Sequence, residues 1–163
     1  MPFDPQTAED LKRALRRLAK AVVVISLEDD GQRFAMAATA VSEVSLDPPS
    51  MLACVHSEAS IAPSLERRRP FCLNILDASQ EDISRRCSAA PQGAPRFEIG
   101  DWQAGEQDVP YLADAQANIF CNNDMSVRYG THDIIIGQVT HALARGTVDP
   151  LLYADGRYGR FID

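Results

Sequence analysis

Ala38-Thr39-Ala40-Val41-Ser42-Glu43-Val44-Ser45-Leu46-Asp47-Pro48-Pro49 is the most informative stretch of the chain. It mixes small residues with hydroxyls and ends in a double proline. Small side chains let a backbone approach a flat ligand, and free N–H groups along such a stretch can meet ring carbonyls and ring nitrogens. The same residues also read as a strand, an edge loop and a tight turn. The proline pair is expected to stop strand pairing, because proline has no N–H to donate.

Outward from this segment the chain reads mainly as β. Thr7-Ala8-Glu9-Asp10 resembles a capping box, with Asp10 in the place usually held by Glu or Gln. Leu11, Leu15 and Leu18 follow at helical spacing, so 7–19 reads as an amphipathic helix. Ala21 to Leu27 is a β-branched apolar run, and Asp30-Gly31 after it signals a hairpin turn with a return strand over 33–41. Met51 to His56 and Phe71 to Leu76 read as further strands. A short helix is expected over 60–68, and a second over 79–88 with its cap near Asp77 or Ser79. Pro91, Gly93, Pro95, Gly100, Gly105 and Pro110 make 90–112 mostly loop. Strands return at 115–122, 132–143 and 151–154. Several strands joined by hairpins, with few short helices, predict an antiparallel barrel rather than a parallel sheet.

Composition narrows the function classes. A chain of 163 residues is expected to form one domain, here 1–163. Its net charge of −7 argues against a nucleic-acid or anionic-membrane surface. Met1-Pro2-Phe3-Asp4-Pro5 lacks the basic and apolar regions of a secretory leader, and no run approaches the ~20 apolar residues of a membrane span. The cytoplasm is the expected compartment. Cys54, Cys72, Cys87 and Cys121 form no CxxC pair, so reduced, buried thiols are expected rather than a metal site or disulfides. GxGxxG, Walker A and HExxH patterns are absent, which disfavours Rossmann, P-loop and zincin chemistry. His56, His132 and His141 are far apart in the chain.

The opening segment resembles the flavin-contacting stretch of the short-chain flavin reductases, whose usual form is close to T-A-[ST]-[SA]-x-x-S-V-S-x-x-P-P. Other pieces follow in order. Cys54-Val55-His56-Ser57-Glu58-Ala59-Ser60 sits where that family holds the flavin phosphate, and Phe71-Cys72-Leu73-Asn74-Ile75-Leu76 is similar to its F-x-V-N-x-L strand. Gln80 with Ser84-Arg85-Arg86 is similar to Q-x-x-x-S-x-x-F. Arg96-Phe97 with Gly100-Asp101-Trp102 is similar to R-F-x-x-G-x-W. Gly130-Thr131-His132-Asp133 with Gly137-Gln138-Val139 resembles G-[DT]-H-x-x-x-x-G-x-V. Pro150-Leu151-Leu152-Tyr153 with Gly156-Arg157-Tyr158 resembles the closing P-L-x-Y-x-x-G-x-Y. The likeness covers about 10–160. Ala37, Glu43 and Cys87 depart from it, standing where Thr, Ser and Phe are usual. Glu43 would repel a nearby phosphate unless it faces solvent or pairs with Arg85 or Arg86.

The resemblance implies an FMN-binding split β-barrel, Greek-key-like, generally a homodimer with each flavin near the subunit interface. It implies hydride transfer from NADH or NADPH to FMN or FAD, and reduced flavin supplied to a partner oxygenase. Ring contacts would come from Ala38, Thr39, Ala40, Val41, Val44 and Ser45. His56, Ser57 and Ser60 would hold the phosphate, with Arg86 as its counter-charge. His132 would face the nicotinamide, and Tyr158 would cover the ring or the nicotinamide. Arg67-Arg68-Arg69 reads as water-facing, His141 as structural, and Trp102 as an anchor for the long loop. Two other classes remain: a flavin-binding protein without turnover, and a split-barrel flavoprotein reductase with a corrin or ferric acceptor.

Overall fold

The computed structural model describes residues 4–161, so Met1, Pro2 and Phe3 of the leader reading lie outside the described residues. Helix α1 (Pro5–Leu15) is capped three residues earlier than Thr7 of the expected capping box. Asp4 is the true cap: its carboxylate accepts the Gln6 N–H at 2.9 Å, and Pro5 fills the first turn, where a missing N–H costs nothing. Thr7 donates its hydroxyl to Asp4 instead of capping a helix. The helix stops at Leu15, short of 19, because the chain must extend into β1 (Lys20–Ala21), which pairs with a strand near the C-terminus.

Strands β2 (Val23–Asp29) and β3 (Gln32–Ala38) form the expected hairpin, with positive φ at both Asp30 and Gly31. The return strand does not run on to 41. It breaks at Thr39-Ala40 and resumes as β4 (Val41–Leu46), which sequence reading left as loop. Nor does the double proline stop pairing. Pro49 opens β5 (Pro49–His56) opposite Leu46, at the strand's first position, where proline is tolerated. Next come α2 (Ala62–Glu66), β6 (Phe71–Ile75) and α3 (Glu81–Ala89). The segment read as loop holds 3-10 turns at Ala94–Phe97 and Glu106–Asp108, and a small hairpin of β7 (Trp102–Ala104) and β8 (Pro110–Leu112). Then β9 (Ala117–Tyr129) and β10 (His132–Ala144) make one long hairpin, and β11 (Leu151–Ala154) pairs with β12 (Arg157–Arg160). No helix among the described residues is long and apolar enough to cross a membrane.

The seven-stranded sheet has the order β3-β2-β6-β9-β10-β5-β4. In a flat sheet its outer strands would lie roughly 29 Å apart at the usual spacing. Yet β3 and β4 are joined by Thr39-Ala40 alone, a link that spans about 10 Å at most. The sheet must therefore curl until its edges meet, and it encloses a core fed by every strand, including Ile25, Val55, Phe71, Leu73 and Ile135. The β3 and β4 edges are not hydrogen-bonded to one another, so the barrel is split there. Gly137 lies where β9 and β10 shift register. A Cβ there would meet the Phe71 ring at 2.6 Å and the Cys121 Cβ at 2.7 Å.

Outside the barrel, α3 and the β7–β8 hairpin cover a second core that includes Val24, Ile83, Cys87, Phe97 and Leu112. Trp102 anchors this loop as expected, stacking edge-on to Phe97 at 4.7 Å and donating its indole N–H to the Ile99 carbonyl. Fully buried Asn74 on β6 ties the layers together. Its amide donates to the Val24 carbonyl and the Ser26 hydroxyl, each at 2.8 Å. Its carbonyl accepts from the Leu112 N–H at 2.8 Å and from Asn118 at 2.9 Å. Buried Arg96 donates to the carbonyls of Ala35, Cys87 and Ala90, closing the C-terminus of α3 onto β3.

The arginine run is a correction. Arg67 and Arg69 do not simply face water: both ion-pair with Asp29, whose side chain is 1% exposed. Burial would raise the Asp29 pKa, but hydrogen bonds from Arg67, Ser64 and Arg69 outweigh it and hold the carboxyl at about 2. The cation run thus staples α2 to the β2–β3 turn. All four cysteines are free thiols, three of them buried, and burial pushes Cys87 up to about 11 and Cys121 to about 12. Such thiols stay protonated and inert near neutrality.

Candidate functional site

Three clefts meet at Thr39, the link between the split edges. The first, about 490 Å³, opens into the split and is largely apolar: Val23, Val41, Met51 and Ile75 line it beside Thr39 and Ala40. Among the described residues its only charged lining is Lys20 and Glu43. The second, about 650 Å³, lies between the end of β3, α3 and the β11–β12 hairpin. It is polar, lined by Ser84, Arg85, Ser88, Tyr153, Arg157 and Tyr158. The third, about 240 Å³, runs beneath α1. Thr39 is common to all three.

Local sequence explains this convergence. Residues 38–40 must leave one sheet edge and join the other, and the Ala40 carbonyl is recaptured on the far side by the Cys54 N–H at 2.9 Å. Alanines at 37, 38 and 40 leave room on both sides of the link. In the polar cleft the Ser84 and Tyr158 hydroxyls lie 2.9 Å apart, and the Arg85 guanidinium sits 4.9 Å above the Tyr158 ring. Glu81 hydrogen-bonds Arg85, pushes its pKa up and points the guanidinium along the helix.

The expected residues divide into three groups. Thr39, Ala40 and Val41 line the apolar cleft, while Ala38 and Tyr158 line the polar one. Val44 and Ser45 lie farther along β4, and neither lines any of the three clefts. The Ser45 hydroxyl is occupied by the hairpin turn, donating to the Asp47 carbonyl and accepting its N–H. Arg86 points away from the clefts, to Glu98 at 2.9 Å and the Pro95 carbonyl at 3.2 Å. Arg85, rotated about 100° around the same helix, lines the polar cleft in its place. Glu43 pairs with neither arginine and accepts from Ser42.

His56, Ser57, Ser60 and His132 gather elsewhere, at the far end of β5 and β10, outside all three clefts. His56 and His132 are register partners whose rings meet edge-on at 5.1 Å. The His56 Nδ1 accepts the Glu58 N–H at 3.1 Å and fixes the turn that carries Ser57. His141 stacks on Phe120 at 4.1 Å, a packing role as expected. Sequence reading missed Lys20, Ser88, Tyr153 and Arg157. Ser84 and Ser88 are four residues apart on α3 with Arg85 between them, a helical phase that would have marked one face.

Relatives share this architecture. The flavin reductase like domain matches residues 15–161. The reductase component of an FADH(2)-dependent resorcinol hydroxylase from Rhizobium sp. (strain MTP-10005) is 34% identical over 152 residues, 92% of this chain and 85% of that protein. An FMN reductase (NADH) RutF from Stutzerimonas stutzeri is 32% identical, covering 94% of this chain and 88% of that one. The Streptomyces globisporus C-1027 NADH:FAD oxidoreductase superposes with a TM-score of 0.89 at 29% identity, over 100% of this chain and 98% of that one. The split barrel, its clefts at the β3–β4 link and a match running nearly from end to end agree: the chain belongs to the flavin reductase like domain family.

Proposed function

We propose that the protein is an NAD(P)H:flavin oxidoreductase that supplies reduced FMN or FAD to a partner monooxygenase. The observation that carries this reading is the junction of an apolar and a polar cleft at Thr39. An isoalloxazine needs a flat apolar slot, and a ribityl phosphate needs hydroxyls and a planar cation. The chain offers both, one on each side of a single residue. When bound, flavin supplies the two-electron acceptor for the nicotinamide hydride. Thr39 and the small residues beside it admit the ring and offer donors to its polar edge. Ser84, Ser88, Arg85 and Arg157 hold the phosphate. Val23, Val41 and Ile75 exclude water from the ring's apolar side. No side chain need act as a strong acid or base. A monooxygenase partner accords with the resorcinol hydroxylase system of the Rhizobium relative. Free cysteines accord with a reducing cytoplasm.

The homodimer has a physical basis in one uncovered face. Register places Ile134 between Cys54 and Val127, and Ile136 between Leu52 and Met125, all on the outer surface of β5, β10 and β9. Met125 and Val127 are 48% and 47% exposed. A second copy seated here would cover the stripe and border the apolar cleft, which Leu52 and Cys54 also line. His132 lies at the end of this face, so its nicotinamide role belongs to the dimer. Sedimentation at micromolar concentration is expected to give a dimer, and a monomer there would refute this assembly.

The function is tested by flavin titration alongside NADH oxidation in air. The wild-type protein is expected to consume NADH only with added flavin. Arg85→Ala is expected to weaken FMN binding roughly tenfold, the weight of one charge-assisted contact, and Arg86→Ala to change it by less than about twofold. A larger loss for Arg86→Ala would move the phosphate out of the polar cleft.

A further inference from the structure

The cleft beneath α1 is basic in an acidic chain. Among the described residues, Lys12, Arg16 and Lys20 line it against one carboxylate, Asp155. Two of these cations have only weak, exposed partners: Lys12 pairs with Glu9 on its own helix, and Arg16 reaches Asp155 at 3.4 Å. Such surface pairs contribute little and yield to a stronger anion. Lys20 is half-buried and makes no ion pair among the described residues. It also lines the apolar cleft, as do Leu18 and Thr39, so the basic cleft opens directly beside the proposed ring seat. Cations focused at such a mouth in a chain of net charge −7 draw an anion to that point.

We infer that this cleft holds the diphosphate of the pyridine dinucleotide, gripped by Lys12, Arg16 and Lys20. The inference rests on the reductase reading and adds a second anion seat to it. A nicotinamide laid on the flavin ring in the apolar cleft must trail its diphosphate through an adjacent opening. The polar cleft is taken by the flavin phosphate in that reading, which leaves the opening under α1. The excess of two positive charges matches a diphosphate's two negative ones. The diphosphate of FAD has the same chemistry, so the test separates the two sources.

ADP-ribose, which keeps the diphosphate but lacks the nicotinamide, is titrated calorimetrically into the wild-type protein, Lys20→Met and Lys12→Glu. FMN and FAD are titrated in parallel. Each variant is expected to weaken ADP-ribose binding and to raise the KM for NADH, both about tenfold; for Lys12→Glu, which lies outside the apolar and polar clefts, kcat and both flavin affinities are expected to change by less than about twofold. With reduced nicotinamide riboside, which has no phosphate, the tenfold penalty is expected to vanish. An unchanged KM for NADH overturns the inference, as does an equal loss with the riboside. Weakened FAD binding with intact FMN binding overturns it too, since FAD would then be the occupant. Lys12 sits on an exposed helix with no buried residue, so its variant reports even if Lys20→Met unfolds. A wild-type protein that oxidises no NADH with either flavin refutes the reductase reading instead, a result distinct from normal turnover with indifferent variants.

Discussion

Thr39→Trp is expected to weaken flavin binding by more than about a hundredfold while the protein still folds. Thr39 is the one residue shared by all three clefts, and an indole there would fill the junction through which ring and phosphate must connect. The substitution is expected to spare the core, because Thr39 is partly exposed and opens onto the clefts. It also spares the backbone, since the link's recaptured carbonyl belongs to Ala40. Quenching of FMN fluorescence gives the affinity, and thermal melting gives the fold. An affinity within tenfold of the wild type, with an unchanged melting curve, would mean that the flavin does not cross this junction.

The second large effect is on stability. Asn74→Leu fits the volume of the site but removes both ends of its amide. The Leu112 N–H and the Asn118 amide would lose an acceptor, and the Ser26 hydroxyl a donor, all in a dry interior. Each buried polar group left unmade costs on the order of 1–3 kcal/mol, so a total loss of about 3–5 kcal/mol is expected. Urea unfolding at constant slope measures it. Because Asn74 also fastens β8, limited proteolysis should cut the 100–112 segment first. A loss below about 1 kcal/mol would show that the network is not what binds the outer layer to the barrel.

The fold was legible wherever burial wrote a period into the sequence. The β2–β3 hairpin, β5, β6, β10 and β11 lie close to where alternation and turn residues put them. The misses have physical causes. Mostly exposed β4 puts valine, glutamate and serine on one face and serine, valine and leucine on the other, so its two faces look alike and it reads as loop. The second half of β9, Asn123 to Tyr129, is mostly exposed and shows no clean alternation, because it projects beyond β6 and pairs only with β10. The leucine stripe over 7–19 suggested a buried face, but Leu11 and Leu15 on α1 and Leu18 beyond its end are 56%, 46% and 53% exposed. Periodicity shows that a helix has an apolar side, not what covers it.

The candidate site was legible in part. Family likeness located the 38–41 link, whose small residues the split barrel requires. It could not resolve which of two adjacent arginines faces the cleft, because that depends on the phase at which α3 packs against β3. Ser45 looked like a ring contact until its hydroxyl proved to be engaged by the Asp47 turn. Lys20 gave no signal at all: an isolated lysine before a strand looks the same whether it faces water or two clefts.

A crystal structure with FMN shows whether the clefts at the β3–β4 link seat the flavin. The isoalloxazine is expected against Thr39, Ala40 and Val41, with its phosphate among Ser84, Ser88 and Arg85. A ring bound instead at the His56–His132 end of the barrel, with the Thr39 clefts left to solvent, would contradict that seating.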